Sequence, residues 1–247
     1  MNTVSEIVER DLDVVASGRR VPAALWIPDE TDLPIPLVLV GHGGGQHKRS
    51  PAVVEMAEGL VREHGIAALA IDGPVNGDRE TNNEEARRIR KEDRFEYRRR
   101  YYMEKYDEMI QDWQAALDTA QKLPELGRGP VGYWGLSMGT RFGVPLIAAE
   151  PRIQAAVIGL FGYREGAEVN QRVYDDAPKI QIPVLFLQQL GDEEVGQRAY
   201  HDLFRMIGTE DKRLHANPGT HAAVPRSERA ASRLFLARKL KGRANGD

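Results

Sequence analysis

The sequence predicts an α/β protein built on a mostly parallel, eight-stranded twisted sheet with helices on both faces. Three observations predict it. From Leu37 onward, short and continuously apolar runs alternate with amphipathic stretches, as expected of strands buried on both faces and joined by helices. The first 36 residues instead alternate with period two, in segments at Ile7 to Val15 and Arg20 to Ile27 split by Ser17-Gly18-Arg19, which reads as an antiparallel hairpin at one edge of the sheet. The glycine-flanked Ser137 stands where one apolar run passes into an amphipathic stretch.

The apolar runs are Leu37 to Val40, Ile66 to Ile71, Val131 to Trp134, Ala155 to Leu160 and Val184 to Leu187, with a last short strand at about Lys212 to His215. Each is the length of a strand and too short for a helix. Helices are expected at Pro51 to Glu63, Tyr102 to Lys122, Met138 to Ala149, Val195 to Ile207 and Arg226 to Lys241. In the second of these, Tyr102, Tyr106, Met109 or Ile110, Trp113 and Leu117 recur at three- and four-residue spacing and form an apolar stripe suited to core packing. Strands alternating with helices imply a doubly wound sheet, whose ligands bind beyond the carboxyl ends of the strands. One segment departs from this pattern. Gly73 to Arg100 begins with turn residues and continues as a dense mix of Arg, Glu and Asp, expected to sit over that carboxyl edge.

Composition narrows the function. The 247 residues are 41% hydrophobic and 29% charged, enough for one sizeable core and unlike a disordered chain. A net charge of -3 gives no general attraction to nucleic acid or to an anionic membrane. No apolar run is long enough to span a bilayer, and Met1 to Ser17 lacks the continuous apolar core of a secretory signal, so a cytoplasmic protein is expected. With no cysteine, thiol nucleophiles and cysteine-ligated zinc are excluded. Hydroxyl, imidazole and carboxylate chemistry remain.

Gly135-Leu136-Ser137-Met138-Gly139 follows one apolar run and opens a helix. A nucleophile on such a turn adopts a strained backbone, and glycines on either side supply the room. A serine hydroxyl is a weak nucleophile until a base takes its proton, and the base needs an orienting carboxylate. Of the six histidines, His221 lies in Asn217-Pro218-Gly219-Thr220-His221-Ala222, a loop after the last strand from which it can lean over the carboxyl edge. His64, His201 and His215 fall within or at the ends of regular elements and read as packing or surface residues. Asp192 follows Gly191 in the loop after Val184 to Leu187, with Glu193 and Glu194 as nearby competitors and Glu194 the second choice. The chain order Ser137, Asp192, His221 is that of the α/β-hydrolase triad.

On these motifs the chain resembles the α/β-hydrolase superfamily, and within it the dienelactone-hydrolase-like and small bacterial carboxylesterase branch, over nearly its whole length. The resemblance also rests on His42-Gly43-Gly44-Gly45 after the strand ending at Val40 and on Asp72-Gly73-Pro74 with Gly77 and Arg79. It implies a single α/β-hydrolase domain over residues 1–247 with a cap-like insertion at about 73–106. It also implies an oxyanion hole from the N–H groups of Met138 and of Gly44 or Gly43, and an active-site border that includes His42, Gly45, Asp72 and Arg79, with Tyr163 as a further substrate contact. Dienelactone hydrolases proper use a cysteine nucleophile, so that particular activity is not implied. Asp78 to Tyr106 holds ten Lys or Arg and eight Asp or Glu, which argues against a lipase lid. Such a run is either a solvated helix laced with ion pairs or a cap whose arginines meet an anionic group.

The reaction expected is hydrolysis of a carboxylic ester or lactone of a small, fairly polar molecule by Ser137, His221 and Asp192, without metal or organic cofactor. His42, His47, Asp72 and Asp78 lack a metal-ligand spacing. The alternatives are a thioesterase, amidase or peptidase using the same triad, or a non-catalytic binding protein on a hydrolase scaffold. An exposed stripe on the last helix would support a homodimer.

Overall fold

The computed structural model describes residues 6–29, 34–79 and 84–242. Its eight strands are β1 (Ile7–Ala16), β2 (Arg19–Pro28), β3 (Leu37–Gly41), β4 (Ala67–Ile71), β5 (Val131–Leu136), β6 (Ile153–Gly159), β7 (Val184–Gln189) and β8 (Lys212–Asn217). They form one sheet in the order β1-β2-β4-β3-β5-β6-β7-β8. β2 runs antiparallel to both of its neighbours, and every other adjacent pair is parallel. The eight-stranded, mostly parallel sheet is the one the apolar runs predict, and most boundaries agree within two residues.

Local chemistry explains the boundaries. β1 and β2 meet at a two-residue turn in which Ser17 and Gly18 both have positive φ, 48° and 78°, the backbone that matches the twist of paired strands. The helix α1 (Pro51–His64) starts with proline in its first turn and stops at Gly65, whose left-handed φ of 55° lets its N–H reach Val61 O at 2.8 Å while Ile66 N–H reaches Leu60 O. β3, β4, β5 and β7 are buried along their whole length, as central strands covered on both faces must be.

Successive strand residues face opposite sides, and β5 shows which helices cover which. At Gly132 an added Cβ would meet Leu236 and Leu240 of α8 (Arg226–Leu240), the helix that packs beside α1. Tyr133 points the other way, edge-on to Trp113 of α4 (Tyr106–Ala120) and hard against Gly143 of α5 (Met138–Ala149). Burying side chains such as Trp113, Tyr133 and Leu236 contributes about 1.5–3 kcal/mol each.

The charged segment folds as two short helices, α2 (Glu84–Glu92) and α3 (Arg94–Tyr101), separated at Asp93, whose carboxylate caps α3 by accepting from the N–H groups of Phe95 and Glu96. Tyr102 therefore lies between helices rather than at the head of α4, which begins at Tyr106. A further short helix, α6 (Gln171–Asp176), lies between β6 and β7, and α7 (Gln197–Met206) follows β7. On α8, Ser232, Leu236, Ala237 and Leu240 are buried while Leu234 is exposed. Among the described residues no helix is long and apolar enough to cross a membrane.

Candidate active site

Ser137 stands between the end of β5 and the start of α5, with φ 57° and ψ -111°. A non-glycine residue pays for that backbone in steric strain, so the surrounding structure must hold it there. Three contacts do so. Ser137 N–H donates to Gly159 O at 2.9 Å, Thr140 Oγ1 accepts from Gly159 N–H at 2.8 Å, and Tyr133 Oη donates to Gly139 O at 2.6 Å. The flanking glycines are required by space: a Cβ on Gly135 would lie 2.6 Å from Tyr133 Oη, and one on Gly139 would lie 2.9 Å from Gly41 O.

His221 Nε2 lies 2.9 Å from Ser137 Oγ, and its Nδ1 lies 2.8 Å from Asp192 Oδ2. The Asp192 side chain is fully buried. Burial alone works to raise its pKa, but it is outweighed by hydrogen bonds from Tyr200 Oη, His221 and the N–H groups of Glu194 and Val195, which hold the carboxylate below its ordinary range. The loop carrying His221 is fixed from beneath by buried Gln189, whose Nε2 donates to Thr220 O at 3.1 Å and Ala223 O at 2.9 Å.

Ser137 and His221 open on a cavity of about 470 Å³. Its walls include Gly44 and Met138, Tyr102 and Arg98 from the α2–α4 segment, and Phe161 and Tyr163 after β6. Met138 is the first residue of α5, so its N–H has no partner within the helix. Gly44 N–H has no hydrogen-bond partner among the described residues, whereas Gly43 N–H is taken by Gln46 Oε1 at 3.1 Å.

The model of the dienelactone hydrolase family matches residues 48–229. The chain belongs to the dienelactone hydrolase family. It is 36% identical to a cold-adapted esterase from an Arctic intertidal metagenomic library, with a TM-score of 0.81 over 95% of this chain and 94% of that one. A dienelactone hydrolase from Anabaena variabilis shares the fold at 21% identity, with a TM-score of 0.70 over 95% of this chain and 97% of that one. Est1E from Butyrivibrio proteoclasticus shares it at 19% identity, with a TM-score of 0.69 over 94% and 99% of the two chains. No curated protein matches the chain. Family and relatives together make it a hydrolase with the α/β-hydrolase fold.

In this dienelactone hydrolase family member, several residues expected at the active-site border do other work. His42 is buried, with Nδ1 against Gly43 O and Nε2 accepting from Gly73 N–H, both at 2.8 Å, so it ties the loop after β3 to the loop after β4 instead of meeting substrate. Burial, only partly offset by its hydrogen bond to Gly43, holds its pKa below the ordinary imidazole value. Asp72 is buried against Lys48, accepting from Lys48 N–H and Nζ at 2.8 Å each. Arg79 turns away to Asp112 at 2.7 Å. Gly45, with φ 73°, serves the turn and lies off the cavity wall, and Gly43 cannot offer the N–H that Gln46 already holds. Tyr163 does line the cavity, its ring 4.7 Å from that of Tyr174.

Other residues of the family member's site gave no sequence signal. Tyr200 sits within an amphipathic helix, where a tyrosine reads as core. Gln189 and Gln46 are polar residues in or after strands without a motif. Arg98 and Arg141 are single members of a charged run and a helix face. Among the described residues no group of three or more His, Asp or Glu side chains could hold a metal ion.

Proposed function

We propose that the protein is a serine hydrolase that cleaves a carboxylic ester or lactone of a small, polar molecule through an acyl-enzyme. The observation that carries this reading is the hydrogen-bonded chain from Ser137 Oγ through both ring nitrogens of His221 to buried Asp192, at the floor of a cavity. Ser137 Oγ attacks the acyl carbon as His221 Nε2 takes its proton, and the carbonyl becomes an oxyanion between the N–H groups of Met138 and Gly44. The bond to the leaving oxygen then breaks as the imidazolium returns the proton to it. Water repeats the sequence on the acyl-serine and frees the acid. Asp192 holds the tautomer with its proton on Nδ1 and stabilises the imidazolium; its depressed pKa keeps it ionised while it does so.

The esterase relative supports an oxygen ester over other acyl derivatives. Intact-mass labelling with a fluorophosphonate probe tests the reading, together with kcat/KM for matched ester, thioester and amide substrates. One label per chain is expected on the wild type and none on Ser137→Ala, with His221→Ala slowing turnover by about 10⁴-fold or more. A Ser137→Ala protein that keeps its esterase activity would refute the triad, and a faster thioester or amide would reassign the substrate class.

A further inference from the structure

Six of the seven arginines on α2 and α3 divide into two sets. Arg88, Arg99 and Arg100 are engaged with the carboxylates of Glu92, Glu96, Glu104 and Glu85. Arg90, Arg94 and Arg98, at four-residue spacing across α2 and α3, instead line the cavity that holds Ser137. Arg141 from α5 and Arg164 after β6 join them there, and none of these five makes an ion pair among the described residues. A sixth lining arginine, Arg229, is paired with Glu55 at 3.0 Å. The carboxylate on this wall is Glu194.

Five positive charges around one cavity with one negative charge do not neutralise one another. Arginine cannot relieve the repulsion by losing its proton. Arg98 feels the crowding: partial burial comes first, then Arg141, Arg94 and Arg164, and together they lower its pKa. Arg141 is fixed in place, its guanidinium 4.6 Å from the Tyr102 ring centre and 5.0 Å from that of Phe161, with Asn170 accepting from Nη1. Arg98 is half-buried beside it, and Arg90, Arg94 and Arg164 are exposed at the rim. A guanidinium fork fixed as Arg141 is matches the paired oxygens of phosphate and carboxylate groups. A single carboxylate would leave most of the excess charge unmet.

We infer that the space beneath α2 and α3 is a polyanion subsite: the ester carries, away from its scissile bond, an oxyanion group of at least two negative charges, a phosphoryl group or paired carboxylates, held by Arg94, Arg98, Arg141 and Arg164. This rests on the hydrolase reading for its consequence and on the arginines alone for its binding.

The test is a series of aryl esters of equal length whose acyl chains end in a methyl group, one carboxylate, a malonate-type pair of carboxylates or a phosphate monoester, compared at constant ionic strength. A kcat/KM at least about tenfold higher for the doubly charged esters than for the neutral one is expected, and whichever divalent ester leads identifies the group. Arg94→Gln and Arg98→Gln are each expected to lower the charged-to-neutral ratio by about fivefold or more, whereas Arg99→Gln, whose guanidinium is held by Glu96 and Glu104, leaves it unchanged. A neutral ester hydrolysed as well as the charged ones, or a ratio indifferent to Arg98→Gln, overturns the subsite and leaves the hydrolase reading intact. Should the protein neither label with fluorophosphonate nor turn over any ester, the hydrolase reading falls, and calorimetry with inorganic pyrophosphate decides the subsite. Binding that Arg98→Gln abolishes upholds it, and no binding overturns it.

Discussion

Tyr200 donates its phenolic hydrogen to Oδ2 of Asp192, the same oxygen that faces Nδ1 of His221. One carboxylate oxygen is thus shared between the imidazole and a fully buried ring, while Oδ1 is held by two backbone N–H groups. Burial, followed by the bond to Asp192, drives the phenol pKa far above its ordinary value, so Tyr200 acts only as a donor.

Tyr200→Phe should therefore keep the fold and loosen the acid. A hydrogen bond to a charged group contributes about 1.5–3 kcal/mol, and a loss of this size in urea denaturation is expected. kcat/KM should fall about tenfold, chiefly in kcat, because the carboxylate is held less firmly in line with Nδ1 of His221. Unchanged kinetics in a destabilised variant would mean that Tyr200 supports the loop and not the chemistry.

The backbone of Ser137 makes a second expectation. Ser137→Ala and Ser137→Gly both remove the hydroxyl, but only glycine relieves the φ of 57°. Ser137→Gly should be more stable than Ser137→Ala by about 1 kcal/mol, read from their denaturation midpoints. Equal midpoints would show that the turn stores no strain at this residue.

His42 links stability to pH. Its folded-state pKa lies below the ordinary 6.5, with burial as the main cause, so the unfolded chain binds the proton more readily. The stabilisation is complete above pH 6.5 and is lost as pH falls from there through the folded pKa, at up to about 1.4 kcal/mol per pH unit. His64 is shifted the same way, again mainly by burial, so the two contributions overlap. His42→Gln should flatten the decline below about pH 6.5 while His64→Gln leaves the His42 share in place. A slope untouched by His42→Gln would remove His42 from the account.

The parts of the molecule that were legible in sequence are those fixed by short-range pattern. The strands from β3 to β7 announce themselves because burial on both faces leaves no polar alternation, and Ser137 because its turn tolerates little but glycine beside it. Asp192 and His221 follow from their positions after β7 and β8. What stayed hidden depends on which partner a polar residue meets in space. Asp72 and Arg79 are near the site along the chain, yet Lys48 and Asp112 draw them away from it. Tyr200 is invisible because its ring obeys the helix pattern and only its hydroxyl reaches the site. The two sets of arginines on α2 and α3 read alike in sequence, and three-dimensional placement alone separates them.

The three hydrogen-bonded side chains of the site hang from three different strands, with Ser137 after β5, Asp192 after β7 and His221 after β8. β8, like β1, lies at an edge of the sheet and is paired on one side only. His221 thus follows an edge strand, and Ser137 follows a strand paired on both sides and buried along its length. If edge strands fray before buried ones on warming, the contact between His221 and Ser137 would be lost while most of the sheet still stood.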